Sequence, residues 1–68
     1  MPAELATLTK AQRAVYDLLV RGRSTSEIAA ELGRSEFTVR NHIKVIFKAF
    51  RVNSRPALLA RVSGTDRS

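Results

Sequence analysis

The chain has no cysteine, no tryptophan and a single histidine. Without cysteine there is no disulfide framework and no thiolate zinc site, and His42 alone lacks the partners to hold a metal. No apolar run exceeds four residues, which excludes a transmembrane helix and the core of a signal peptide. Paired carboxylates, a nucleophile–base set and a glycine-rich phosphate loop are missing too, so the chain does not read as an enzyme and calls for no cofactor. Internal repeats and low-complexity tracts are absent. What remains is a small domain of the reducing cytoplasm that folds on apolar packing, helped at most by a partner chain. A chain of 68 residues buries only roughly 60% of the surface its unfolded form exposes. Its 44% hydrophobic content is enough for a core and too much for outright disorder.

Acidic side chains are scarce in one part of the sequence only. Residues 1–33 balance Lys10, Arg13, Arg21 and Arg23 against Glu4, Asp17, Glu27 and Glu31. Residues 34–55 set Arg34, Arg40, Lys44, Lys48, Arg51 and Arg55 against Glu36 alone, a net charge of +5 in a chain of +6. A basic half beside a neutral half is the electrostatic footprint of a polyanion binder. The plainer alternative is a solvated basic face.

Helical periodicity runs through four segments, and no alternating strand pattern occurs. The first spans Lys10 to Arg21, opened by a capping box of Thr9 and Gln12 and closed by Gly22. Ala11, Val15, Leu18 and Leu19 form its apolar stripe, with Arg13, Asp17 and Arg21 on the wet side. The second spans Thr25 to Leu32, with Ser24 and Glu27 as a second capping box, and Gly33 ends it. The third begins at Glu36 behind Ser35 as cap and runs to Phe50. A short helix, a tight turn with a glycine and a longer helix are the parts of a helix-turn-helix.

The third segment sorts into three arcs when side chains are placed about 100° apart. Val39, Ile43, Ile46, Phe47 and Phe50 form a core stripe. Arg40, Asn41, Lys44, Lys48 and Arg51 form a cationic arc, and Thr38, His42, Val45 and Ala49 form the third. Such a helix could lie on an anionic membrane, but its apolar stripe is needed for the core. A basic helix after a tight turn fits the DNA major groove.

The fourth segment, Ser54 to Val62, starts with Pro56 in the first turn, where no intrahelical donor is needed. It is apolar nearly all round. Leu58 and Val62 share one side and Leu59 points about 100° away from Leu58. One direction closes the core and the other is free to meet a copy across a two-fold axis, so Leu58, Leu59 and Val62 are the candidates for a weak homodimer contact. Residues 1–7 read as a flexible arm, 8–62 as the domain and 63–68 as a disordered tail.

Leu8-Thr9, Val15, Leu18-Leu19, Gly22-x-Ser24, Glu27-Ile28-Ala29, Leu32, Ser35, Thr38-Val39-Arg40 with His42, Val52 and Ser54-Arg55 resemble the LuxR/GerE-type helix-turn-helix over residues 8–62. The resemblance implies an all-α, four-helix DNA-binding domain, either a stand-alone regulator or a response-regulator output domain. Met1 leans to the first. The resemblance also puts Arg40, Asn41 and Lys44 at base-reading positions. Arg40 and Lys44 can donate to guanine, and Asn41 can pair with adenine or reach a phosphate. Thr25, Arg34, Thr38, His42, Lys48 and Arg55 are similar to phosphate-positioning groups, with Arg51 a further addition. The plainer alternative for His42 is a partly buried residue bonded to a backbone carbonyl, and for Arg55 a salt bridge to an acid of the first two helices. For Lys48 and Arg51 the plainer reading is a solvated face.

Gln12, Tyr16, Val45, Ala49 and Phe50 depart from the family pattern, and Val45 and Ala49 strip polar groups from one flank of the third helix. Phe37 is either a local staple against the preceding turn or an apolar contact with a thymine methyl or a protein. Two other readings stand beside a DNA-binding regulator. One is a protein-interaction module that uses Phe37, Val45 and Ala49 to bind a sigma factor or RNA polymerase. The other is region four of a sigma factor, which the Val39-Arg40-x-His42 pattern disfavours.

Overall fold

Side-chain caps set where the helices start. In the computed structural model, which describes residues 3–63, a 3-10 helix (Ala3–Thr7) precedes α1 (Lys10–Val20), α2 (Thr25–Leu32), α3 (Glu36–Phe50) and α4 (Arg55–Ser63). At α1 the Gln12 N–H donates to Thr9 Oγ1 (3.1 Å) while the Thr9 N–H donates to Gln12 Oε1 (2.9 Å). Ser24 and Glu27 repeat this at α2, at 3.1 and 2.8 Å. Ser35 accepts from the Thr38 N–H at α3 (3.1 Å) and Ser54 from the Ala57 N–H at α4 (3.2 Å). Each cap satisfies a donor that the first helical turn leaves unpaired.

Helix ends follow one geometry three times. After α1, Gly22 (φ 88°) donates to Leu19 and Arg23 to Leu18, both at 3.1 Å. After α2, Gly33 (φ 66°) and Arg34 donate to Ala30 and Ala29 at 3.4 and 2.9 Å. After α3 the left-handed residue is Arg51 (φ 58°), with Arg51 donating to Lys48 (3.1 Å) and Val52 to Phe47 (2.9 Å). This is the paired bonding of a Schellman motif, in which a left-handed residue turns the chain away. Glycine adopts that conformation freely, whereas a side chain strains it.

α1 and α2 pack against α3, α4 closes against α1 and α3, and the 3-10 helix also touches α3. Val39, Ile46 and Phe50 of α3, Ile28 of α2 and Leu58 of α4 are all fully buried. Tyr16 and Phe50, separate departures from the family pattern, stack on each other with ring centroids 5.5 Å apart and planes 6° from parallel. Burial, with a contribution from Asp17, holds the Tyr16 phenol above its ordinary pKa. Among the described residues no helix is long and apolar enough to cross a membrane.

Two expectations change. Residues 1–7 are not simply an arm: Ala3–Thr7 is ordered as a 3-10 helix with Leu5 buried, and Leu8 packs partly against the same core. Residues three apart eclipse in a 3-10 turn, so Leu5 and Leu8 present one apolar edge. In α1, Ala11 is exposed and Tyr16 takes a core place beside Val15, Leu18 and Leu19. At the other end Ser63 belongs to α4, and the remainder of the expected 63–68 tail lies outside the described residues.

Candidate nucleic-acid interface

The same contacts that bury one side of α3 leave its other side bare. Arg40, Asn41, Lys44 and Lys48 are all exposed, in the arc expected from their spacing. Only Gly33, Arg34 and Ser35 separate α2 from α3.

Among the described residues, Arg40 is the one member of this arc with a side-chain partner. Its Nη2 donates to Glu36 Oε1 at 3.2 Å, one helical turn away, with both side chains largely in solvent. Such an exposed pair contributes about 0.3–0.5 kcal/mol. It is weak enough to be exchanged for a stronger bidentate acceptor. The sequence reading gives Glu36 no role, although its i,i+4 spacing to Arg40 is the signal that would have assigned one.

The phosphate-positioning candidates divide. Thr25, half-buried, is the first residue of α2, where backbone N–H groups face outward. Thr38 accepts from Ser35 Oγ at 3.0 Å, which leaves its own hydroxyl proton free to donate outward. Arg34 and half-buried His42 come together across a shallow cavity of about 110 Å³, lined also by Ala11, Ala14, Val15 and Leu32. His42 makes no hydrogen bond among the described residues, so the expected backbone-carbonyl partner is not found. Arg55 is neither free nor salt-bridged: its Nη1 donates to the Arg23 carbonyl at 2.6 Å and ties the start of α4 to the α1–α2 turn.

The three dimer candidates separate as well. Leu58 is fully buried in the monomer core and cannot meet a second copy, which corrects its assignment to an interface. Val62 is half-buried and packs against that core, whereas half-buried Leu59 lies outside the core cluster. Ala49 also turns toward the core, while Val45 stays 43% exposed.

A family model, that of the luxR family of bacterial regulatory proteins, matches residues 6–62. The chain belongs to this family. The spore germination protein GerE of Bacillus subtilis (strain 168) is 50% identical over 48 residues, 71% of this chain and 65% of that protein. A protein of Aeromonas salmonicida described as a "putative HTH-type transcriptional regulator in exeN 3'region" is 43% identical over 51 residues, 75% of this chain and 26% of its own length. The transcriptional regulatory protein DesR of B. subtilis is 36% identical over 59 residues, 87% of this chain and 30% of its own length. The chain therefore spans less than two thirds of each of these relatives. No solved structure matches it closely enough to count as a relative.

Proposed function

We propose that this luxR-family chain is a sequence-specific DNA-binding transcriptional regulator of the cytoplasm. In this reading α3 enters the major groove with Arg40, Asn41 and Lys44 at base edges. Thr25, Arg34, Thr38, His42 and Lys48 hold the phosphates on either side, and Arg55 reaches a phosphate with the donors it does not spend on Arg23. The observation that carries the reading is the exposed polar arc of α3, where among the described residues the Glu36 contact to Arg40 is the only ion pair. The names of two relatives, both of which describe transcriptional regulators, support it.

Two copies act together, weakly paired through Leu59 of α4 with Val62 at the edge of the contact. The patch is small, so pairing is weak in solution and gains on DNA from the high effective concentration of adjacent half-sites. The competing reading, a module for a sigma factor or RNA polymerase, needs Phe37, Val45 and Ala49 as one apolar patch. Ala49 faces the core, and Val45 lies about 80° round the helix from Phe37. Selection of bound duplexes from a random pool at physiological salt tests the proposal. A recurrent half-site, repeated about one helical turn apart or closer, is the expected result. Enrichment of no sequence refutes it.

A further inference from the structure

Phe37 is the second residue of α3 and 72% exposed. A staple against the preceding turn would hide its ring, so that role is excluded. On the helix it shares the outer arc: Lys44 lies about 20° from it, Asn41 about 40° and Arg40 about 60°, on both sides. An aromatic ring thus stands in the middle of the polar surface at the N-terminal end of the helix. In a helix-turn-helix that end is the part that reaches base edges. The ring can satisfy no donor or acceptor of a base and no phosphate oxygen. One group on the major-groove edge is apolar, the C5-methyl of thymine.

Resting on the DNA-binding reading above, we propose that Phe37 is a specificity-determining residue that selects a T·A pair by contact with the thymine methyl. A protein partner fits the same ring less well. The other large exposed apolar side chain, Val45, is about 12 Å further along the axis and turned about 80° away. The two do not join into the contiguous patch that protein recognition uses. Its neighbours on the arc are instead polar, with Lys44 and Arg40 cationic and Glu36 paired to Arg40, a surface that suits a polyanion more than an apolar protein face.

The test uses the intact chain and its selected duplex. Each thymine of the half-site is replaced singly by deoxyuridine, which removes the methyl and leaves every hydrogen-bonding group. Affinity is measured by fluorescence anisotropy for the wild type and for Phe37→Ala, an exposed substitution whose fold is checked by circular dichroism. One position is expected at which loss of the methyl weakens the wild type about fourfold, the effect of one buried methyl-sized group. The same change leaves Phe37→Ala binding as before. A half-site without thymine, or methyl losses that affect both proteins alike, overturns the assignment. If the wild type binds no duplex, the DNA-binding reading fails and takes this inference with it, an outcome distinct from binding without methyl dependence.

Discussion

The two faces of α3 are cut from the same 15 residues and obey different constraints. On the inner face Val39, Ile46 and Phe50 have no solvent exposure, and Phe50 is stacked on Tyr16. Their shapes answer to neighbours in α1, α2 and α4. On the outer face Phe37, Asn41, Lys44 and Lys48 are exposed, and among the described residues Arg40 pairs with Glu36 alone. An inner residue is explained by stability, whereas the outer set is what the proposed DNA contact would use. Substitutions on the two faces should therefore separate folding from binding.

The largest effects come from α4, where the same division falls between adjacent residues. Leu58→Glu puts a charge into the closed core, at a cost of several kcal/mol, comparable with the whole stability of so small a domain. The variant should be unfolded by circular dichroism. Leu59→Glu should keep its helical spectrum and lose cooperative occupation of paired half-sites. A folded Leu58→Glu, or an unfolded Leu59→Glu, reverses the assignment of faces. Next in size is the outer face of α3. Arg40→Ala should cost roughly 1–3 kcal/mol of binding and relax preference at one base pair, while Lys48→Ala weakens all sequences alike. Both should leave stability within about 0.5 kcal/mol of the wild type. Equal, sequence-independent losses would remove Arg40 from base readout.

How far these faces could be read in advance depended on how local the signal was. Thr9 with Gln12 and Ser24 with Glu27 are three residues apart, and both capping boxes form as the sequence predicts. The spans of α2 and α3 agree with their expected limits for the same reason. α4 is apolar nearly all round, so its periodicity left the choice between Leu58 and Leu59 to tertiary packing. Leu5 was hidden by its place near the terminus, because the pair it makes with Leu8 follows a 3-10 period. Tyr16 and Phe50 are far apart in sequence, and only the fold shows that two departures from the family pattern are one aromatic stack. Arg55 illustrates the limit at the site: an arginine bound to a carbonyl and one aimed at a phosphate look the same in sequence.

Smaller effects sharpen the border between the faces. Arg51 sits at the end of the outer arc in a left-handed conformation that α1 and α2 give to glycine. Arg51→Gly should relieve that strain and raise the unfolding free energy by roughly 0.5–1 kcal/mol, net of the added freedom of the unfolded chain. If Arg51 also serves the ligand, the same variant binds DNA more weakly, so stability and affinity move in opposite directions. Urea denaturation beside a binding titration checks both. The smallest effect belongs to the inner face. The folded-state pKa of Tyr16 is raised above its ordinary 10.0. Its contribution to stability is therefore present below pH 10.0 and lost as pH rises through the folded value. Tyr16→Phe should flatten the alkaline fall in the urea midpoint, and identical profiles would contradict the burial of the phenol. Tyr16 is the one tyrosine of the chain, so ultraviolet absorbance follows its titration directly.

The claim that the outer face of α3 exists for a polyanion is tested most directly by the salt dependence of binding to the selected duplex. If the polar arc and its flanks neutralise about four to five phosphates, log affinity should fall against log salt with a slope of roughly −4 per subunit. A slope near zero, with the protein folded, would contradict the account.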